Sequence, residues 1–415
     1  MKAIYKYLAF AIVTVATMSS CSDTVSDEPA IPNKYNLDII EVPTISEIKL
    51  SQTEVDITKN INRFGLDLFK SLYTKADQPT TTVSVSPLSM ITCLSLASNA
   101  FDKDFKTAIK NVTGCSDISE LNEYINKIIR FLPDPSNGCE LSLANSVWYS
   151  SEYSPSSVFV ETSTKSYFAE LIRYHDKEDD VVDMINNWCS IKTKGMIPNF
   201  IQFRPMGLAI LNALYFSGEW QTKFDKSKTS KQVFHGVYGD KAVDMMSGEF
   251  SNLSYRENDK ATAVYLPYDG DYYMVLVLPA ENVPVEDVTD ALTLGFPKPG
   301  EIIEGWESRN ASHLKLPKFK LTFGVRLNDI MMDMGFPING YVPEFDMVAE
   351  HISYYHKTAI DLDEDGTKAA AVSGIVVDAM PTVLTFDRPF LYSIVNKTTG
   401  LSLITGYVGD PTVSE

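Results

Sequence analysis

His356-Lys-Thr-Ala-Ile-Asp-Leu-Asp-Glu-Asp-Gly366-Thr-Lys-Ala-Ala-Ala371-Val-Ser-Gly-Ile375 is the stretch on which the reading of this chain turns. Its first part alternates. In a strand, His356, Thr358, Ile360 and Leu362 share one face, and Lys357, Ala359, Asp361 and Asp363 share the other. An acidic turn ending at Gly366 follows, and the composition then changes. Counted from Thr367, one face of an extended segment carries Thr367, Ala369, Ala371, Ser373 and Ile375, all small or apolar, so none resists burial. The other face carries Lys368, Ala370, Val372, Gly374 and Val376. Taken alone, a tract rich in Gly, Ala and Ser reads equally well as a surface linker. The flanking sequence has to decide.

Two local motifs invite chemistry and fail. Asp361 to Gly366 matches the opening of a calcium loop, but the twelfth position holds Val372 where a bidentate Glu is needed. His351 and His356 are five apart, not the helical i, i+4 spacing of a zinc protease. There is no G-x-S-x-G elbow and no phosphate-binding P-loop. We therefore expect no metal, no cofactor and no catalytic apparatus.

Upstream, Ile61, Phe64, Leu68 and Leu72 predict a helix over about 55–75. Ser86-Pro87 predicts a helix start running to about Ala97, because Ser caps and Pro is tolerated in the first turn. Residues 180–194 return to helical spacing with Ile185, Trp188 and Cys189 on one side. Strands are expected at Leu141–Tyr149, Leu208–Phe216, Ala263–Leu266, Tyr273–Leu278, His313–Leu321 and His351–Leu362. Helices first and strands later, without regular alternation, predict an α+β fold.

The chain has 415 residues, long enough for two or three domains, yet no Pro/Ser/Gly linker divides it after the first fifty. Its 54 acidic and 36 basic residues give a formal charge of −18, which argues against nucleic acid and anionic membranes. Lys2 and Lys6 precede an apolar run from Leu8 to Met18, the pattern of a signal peptide over residues 1–20. Met18-Ser-Ser-Cys21 resembles a bacterial lipobox, in which Cys21 is acylated. Ser22 and the acids after it resemble surface-directed lipoproteins of Bacteroides-like bacteria. Residues 21–48, with Asp23, Asp27, Glu28, Pro29, Pro32 and Pro43, read as an extended acidic tether. An ordinary cleaved signal remains the alternative. Cys93 and Cys189 read as core residues, and whether Cys115 and Cys139 pair is left open.

Several segments together resemble the serpin family, in family order from about residue 55 to 411. They are Val83-Ser-Val-Ser-Pro-Leu-Ser-Met90, Ile185-Asn-Asn-Trp-Cys189 with Thr193 to Ile197, and Asn212-Ala-Leu-Tyr-Phe-Ser-Gly-Glu-Trp220 with Phe224. Downstream lie Leu316-Pro-Lys-Phe319, His356 to Ala371, Phe386-Asp-Arg-Pro-Phe390 and Gly406-Tyr-Val-Gly-Asp-Pro411. The resemblance implies a serpin domain over 49–411 with a short tail at 412–415. Its fold would have three β-sheets, eight or nine helices and an exposed reactive-centre loop between 366 and 385.

It further implies a hinge at Glu364, Gly366, Thr367, Lys368, Ala369, Ala370 and Ala371. Ser86, Ser89, Asn212 and His356 would form a shutter beneath the sheet, and Trp220 would mark the breach above it. By family count the reactive bond is Met380–Pro381, with Ala379–Met380 and Val377–Asp378 as alternatives because proline restricts the residue before it. The implied function is inhibition of a serine protease, or of a cysteine protease, by a monomer. A non-inhibitory carrier or chaperone is the alternative. No Lys or Arg occurs from Ala369 to Asp387, which points to an elastase-like rather than a trypsin-like target. The stretch from Ser119 to Pro135 lacks the basic cluster of heparin-activated members, so no heparin site is expected. Localisation follows the lipobox: outer membrane or cell surface if acylated, otherwise periplasmic or secreted.

Overall fold

Ser86 opens the second helix by accepting a hydrogen bond from the Ser89 N–H (3.1 Å), with Pro87 in the first turn. Ser51 and Glu54 cap the first helix reciprocally: the Ser51 hydroxyl takes the Glu54 N–H and the Glu54 carboxylate takes the Ser51 N–H. These local signals set the helical half of the molecule. The computed structural model describes residues 31–37, 40–75, 80–176, 180–298, 301–366 and 382–413.

The helices are α1 (Gln52–Lys75), α2 (Pro87–Ser98), α3 (Lys103–Thr113), α4 (Ile118–Phe131), α5 (Ser157–Ser166), α6 (Val181–Lys192) and α7 (Asn328–Asp333). The strands begin with β1 (Thr82–Val85), β2 (Glu140–Ser150), β3 (Glu170–Tyr174), β4 (Leu208–Ser217), β5 (Ser230–Gly236), β6 (Gly239–Glu257), β7 (Ala261–Pro267) and β8 (Tyr272–Pro279). They continue with β9 (Glu307–Pro317), β10 (Phe319–Arg326), β11 (Gly340–Val342), β12 (Met347–Ala349), β13 (Tyr355–Leu362), β14 (Val383–Thr385), β15 (Phe390–Asn396) and β16 (Ser402–Val408).

The α+β architecture expected from the sequence is the one adopted. The described residues hold seven α-helices and five short 3₁₀ turns, where eight or nine helices were expected. Their strands form four hydrogen-bonded groups rather than three. Nine strands make one sheet, in the order β1-β16-β15-β8-β7-β6-β9-β14 with β5 on β6. A hairpin pairs β11 with β12. The remaining strands form two separate ribbons, β3-β2-β4 and β10-β13. Among the described residues no strand pairing joins β4 to β13, and this division positions the functional site.

Two expected strands are drawn differently. The run His313–Leu321 is split, because Pro317 has no N–H for a ladder: β9 ends there and β10 joins another sheet. The strand expected at His351–Leu362 starts at Tyr355, since Asn328 draws the preceding backbone aside, accepting from Tyr354 N–H and donating to Ile352 O.

Residues 31–37 and 40–48, expected as a tether, are seated on the body, with a turn at residues 34 and 35. Leu37, Val42, Ile45 and Ile48 pack against the core, and Ile45 N–H donates to Arg130 O (3.0 Å). The acidic and proline-rich composition masked these apolar positions. The cysteines Cys93, Cys115, Cys139 and Cys189 are free thiols, and burial lifts those of Cys93 and Cys139 to about 12.

Candidate functional site: the seam between β4 and β13

Along β13 burial alternates residue by residue. His356, Thr358, Ile360 and Leu362 are buried and the residues between them half-exposed, as the two-residue period demands. The buried face looks onto α2 and β1. His356 Nε2 accepts the Ser86 N–H at 2.9 Å, and the Thr358 hydroxyl donates to Ser84 O at 3.2 Å. Complete burial pushes the His356 imidazole down to about 4, so the ring is neutral and its Nε2 is free to accept. The Ser86 hydroxyl donates to Leu403 O (2.6 Å), and the Ser89 hydroxyl donates to Asn212 Oδ1 on β4. Asn212 in turn donates to Asn145 Oδ1 on β2 (2.9 Å). One helix start, at Ser86 and Ser89, thus holds β13 through His356 and β4 through Asn212.

Between the two strands lies a cavity of about 20 Å³. Asn212 to Leu214 line one side and Lys357 to Ala359 the other. It is roofed by Cys189 of α6 and by Thr193, Ile197 and Phe200 of the turn after it. The volume admits about one water molecule. The Lys357 ammonium reaches over to Asn199 O (2.7 Å).

The upper end is latched. Trp220 N–H donates to Asp365 O and Phe224 N–H to Glu364 O, both at 3.0 Å, and the Trp220 indole donates to Asp363 O (3.0 Å). The indole stacks on Tyr268 with centroids 4.4 Å apart. The Glu364 carboxylate, 4% exposed, takes Lys318 Nζ at 2.8 Å and the Thr229 hydroxyl at 2.7 Å. Burial alone would raise its pKa; these two partners outweigh that and hold it below the usual range. Asp365 pairs with Lys226, whose pKa is raised by that hydrogen bond. Gly366 ends the contact at φ 130°, and a Cβ there would lie 2.3 Å from Gly218 O. Only glycine permits so close an approach in this backbone region.

A family model described as serpin (serine protease inhibitor) matches residues 59–411. The chain belongs to the serpin family. Among curated relatives, it is 30% identical to Iripin-2 of Ixodes ricinus over 386 residues, covering 86% of this chain and 94% of that one. It is 28% identical over 380 residues to a serpin-like protein of Methanosarcina mazei, covering 86% and 88%. Among solved structures, the thermophilic serpin tengpin in its native state aligns with a TM-score of 0.73 at 25% identity, covering 89% of this chain and 97% of tengpin. Serpins are in general protease inhibitors rather than catalytic enzymes.

Of the residues singled out from sequence, the structure brings Ser86, Ser89, Asn212 and His356 together beneath the seam of this serpin. Trp220, Glu364 and Gly366 meet at its upper end. Thr367, Lys368, Ala369, Ala370, Ala371, Ala379, Met380, Pro381 and Cys21 lie outside the described residues. Sequence reasoning missed Lys318, Thr229 and Lys226, the partners of the acidic turn. Lys318 stood inside a quoted motif, but 46 positions before Glu364, and its partnership is set by the fold. The same holds for Thr229 and Lys226.

Proposed function

We propose that this serpin traps serine-type proteases of elastase-like preference by inserting its cleaved loop between β4 and β13. The protease serine Oγ attacks the carbonyl carbon before the scissile bond, the peptide nitrogen leaves with a proton, and an ester links the two proteins. The loop from Thr367 onward then enters the seam before water attacks that ester. The observation that carries this reading is the divided central sheet. A strand laid in the seam meets ten residues of β4 and eight of β13. At about one backbone bond per residue and about 1 kcal/mol net each, insertion stabilises the protein by an amount on the order of 10 kcal/mol. The small side chains on the inward face from Thr367 to Ile375 suit that slot.

We also propose that the protein is exported as a monomeric lipoprotein of the Bacteroides type, acylated at Cys21. It would stand at the outer membrane or cell surface and protect that surface from extracellular proteases.

Mixing with an elastase should give a covalent complex that survives boiling in detergent, at about one inhibitor per enzyme, and trypsin should give none. A carrier would give no complex with either. Thr367→Arg should convert the inhibitor into a substrate, many molecules being consumed per enzyme, since an unpaired cation would have to be buried at a cost of several kcal/mol, roughly. Lys368→Glu should leave the ratio unchanged. One-to-one trapping by Thr367→Arg would reject loop insertion.

A further inference from the structure

Residues 31–37 lie on the outward side of α6. Asn187, in the middle of that helix, accepts the Lys34 N–H on Oδ1 (3.2 Å) and donates through Nδ2 to Pro32 O (2.9 Å). One amide thus meets two backbone groups of the segment, and Asn187 is only 7% exposed. One turn earlier, Asp183 accepts from the Tyr35 hydroxyl and lies 3.7 Å from Lys34 Nζ. Leu37 packs on the cluster containing Trp148 and Trp188 beneath α6. The segment is preshaped: Asn33 takes the Leu37 N–H and donates to Leu37 O, both at 2.9 Å.

Further on, Ile40 N–H donates to Glu170 Oε1 of β3 (3.2 Å). The same carboxylate receives Trp188 Nε1 and Lys192 Nζ from α6, each at 2.6 Å. The N-terminal segment therefore meets α6 at Asp183 and Asn187 and fastens, at Ile40, to the β3 carboxylate that α6 also binds.

We propose that residues 31–37 and Ile40 form a strap over α6 whose release sets how fast the central sheet admits a strand. Cys189, Thr193, Ile197 and Phe200 roof the cavity between β4 and β13. A strand passing through must displace α6 or its following turn, and the strap holds the helix down from outside. This rests on the reading that a strand enters at that seam.

The full chain is compared with Asn187→Ala, which removes both strap bonds while favouring the helix. The probe is a fluorescent peptide with the sequence of residues 367–379, offered to the uncleaved protein. Loss of the two bonds should speed its uptake about tenfold, the equivalent of about 1.4 kcal/mol. Arg130→Ala, which cuts only the later Arg130 Nε to Pro43 O bond at α4, should change the rate less than twofold. Equal rates for Asn187→Ala and the parent chain overturn the strap. If neither protein takes up peptide, strand insertion is what fails, and hydrogen exchange across Val181–Lys192 then decides. Faster exchange in Asn187→Ala supports the strap, and unchanged exchange rejects it.

Discussion

Acidification should loosen the seam through His356. His356 is buried and neutral, with a pKa of about 4 against 6.5 in an exposed setting, and burial is the cause. Between these values the unfolded chain binds a proton on this ring and the folded chain does not. The stabilisation is therefore complete above about pH 6.5 and declines as pH falls towards 4. At about 1.4 kcal/mol per unit, the loss over this window is about 3 kcal/mol. The geometry agrees in sign, because a protonated ring would turn a donor at Nε2 towards the Ser86 N–H donor, 2.9 Å away. The comparison is His356→Gln, whose side-chain oxygen can take the same N–H but does not titrate. Urea midpoints of the first unfolding transition, measured from pH 7.5 to 4, give both curves. Carboxylates titrating over the same span cancel in the difference. The parent chain should lose about 3 kcal/mol more than the variant. Parallel curves would show that His356 is not the buried neutral acceptor described here.

Lys318→Ala should lower the stability read from the same transition by about 1–2 kcal/mol. It leaves the Glu364 carboxylate without its cation, but Lys318 is 39% exposed and water screens the pair. Because the Glu364 pKa is depressed, this contribution is present above the ordinary glutamate range and fades as pH falls through its folded value. An unchanged midpoint at neutral pH would remove the upper latch. Heparin should not accelerate protease inhibition. Lys127 on α4 is paired with Glu54 at 2.5 Å and Arg130 with Pro43 O, and a rate gain abolished by salt would contradict this. Metabolic labelling with a fatty-acid analogue should tag the parent chain and not Cys21→Ala, and equal labelling would reject acylation.

The sequence carried the central machinery because that machinery is built from periodicity and capping. Alternation placed His356, Thr358, Ile360 and Leu362 on the buried face of β13, and Ser86-Pro87 marked the start of α2. What it could not carry were partnerships between residues distant in the chain. Thr229 meets Glu364 across 135 positions, and Asn187 meets Pro32 across 155. The N-terminal segment was misjudged for a different reason. Its prolines and acids dominate the composition, while the few apolar residues that dock it, Leu37, Val42 and Ile45, follow no strand or helix period. Pro317, by contrast, was legible as a strand end and was passed over in favour of a continuous run.

The strands after the loop bear on reversibility. β15 and β16 are buried at every residue inside the nine-stranded sheet, and β14 pairs in parallel with β9 at its edge. A cut between 367 and 381 therefore cannot shed the C-terminal piece, which stays locked in place as a second chain. In the trapping reaction proposed above, the freed amine would remain tethered beside the ester it came from, at a local concentration on the order of millimolar. Under those conditions, resynthesis of the peptide bond competes with hydrolysis, and the attacking enzyme could simply be handed back. Withdrawal of the upstream end into the seam, as proposed, would separate the two ends and make the cut permanent. On this view the first thing insertion defeats is religation, and only afterwards does the fate of the enzyme follow.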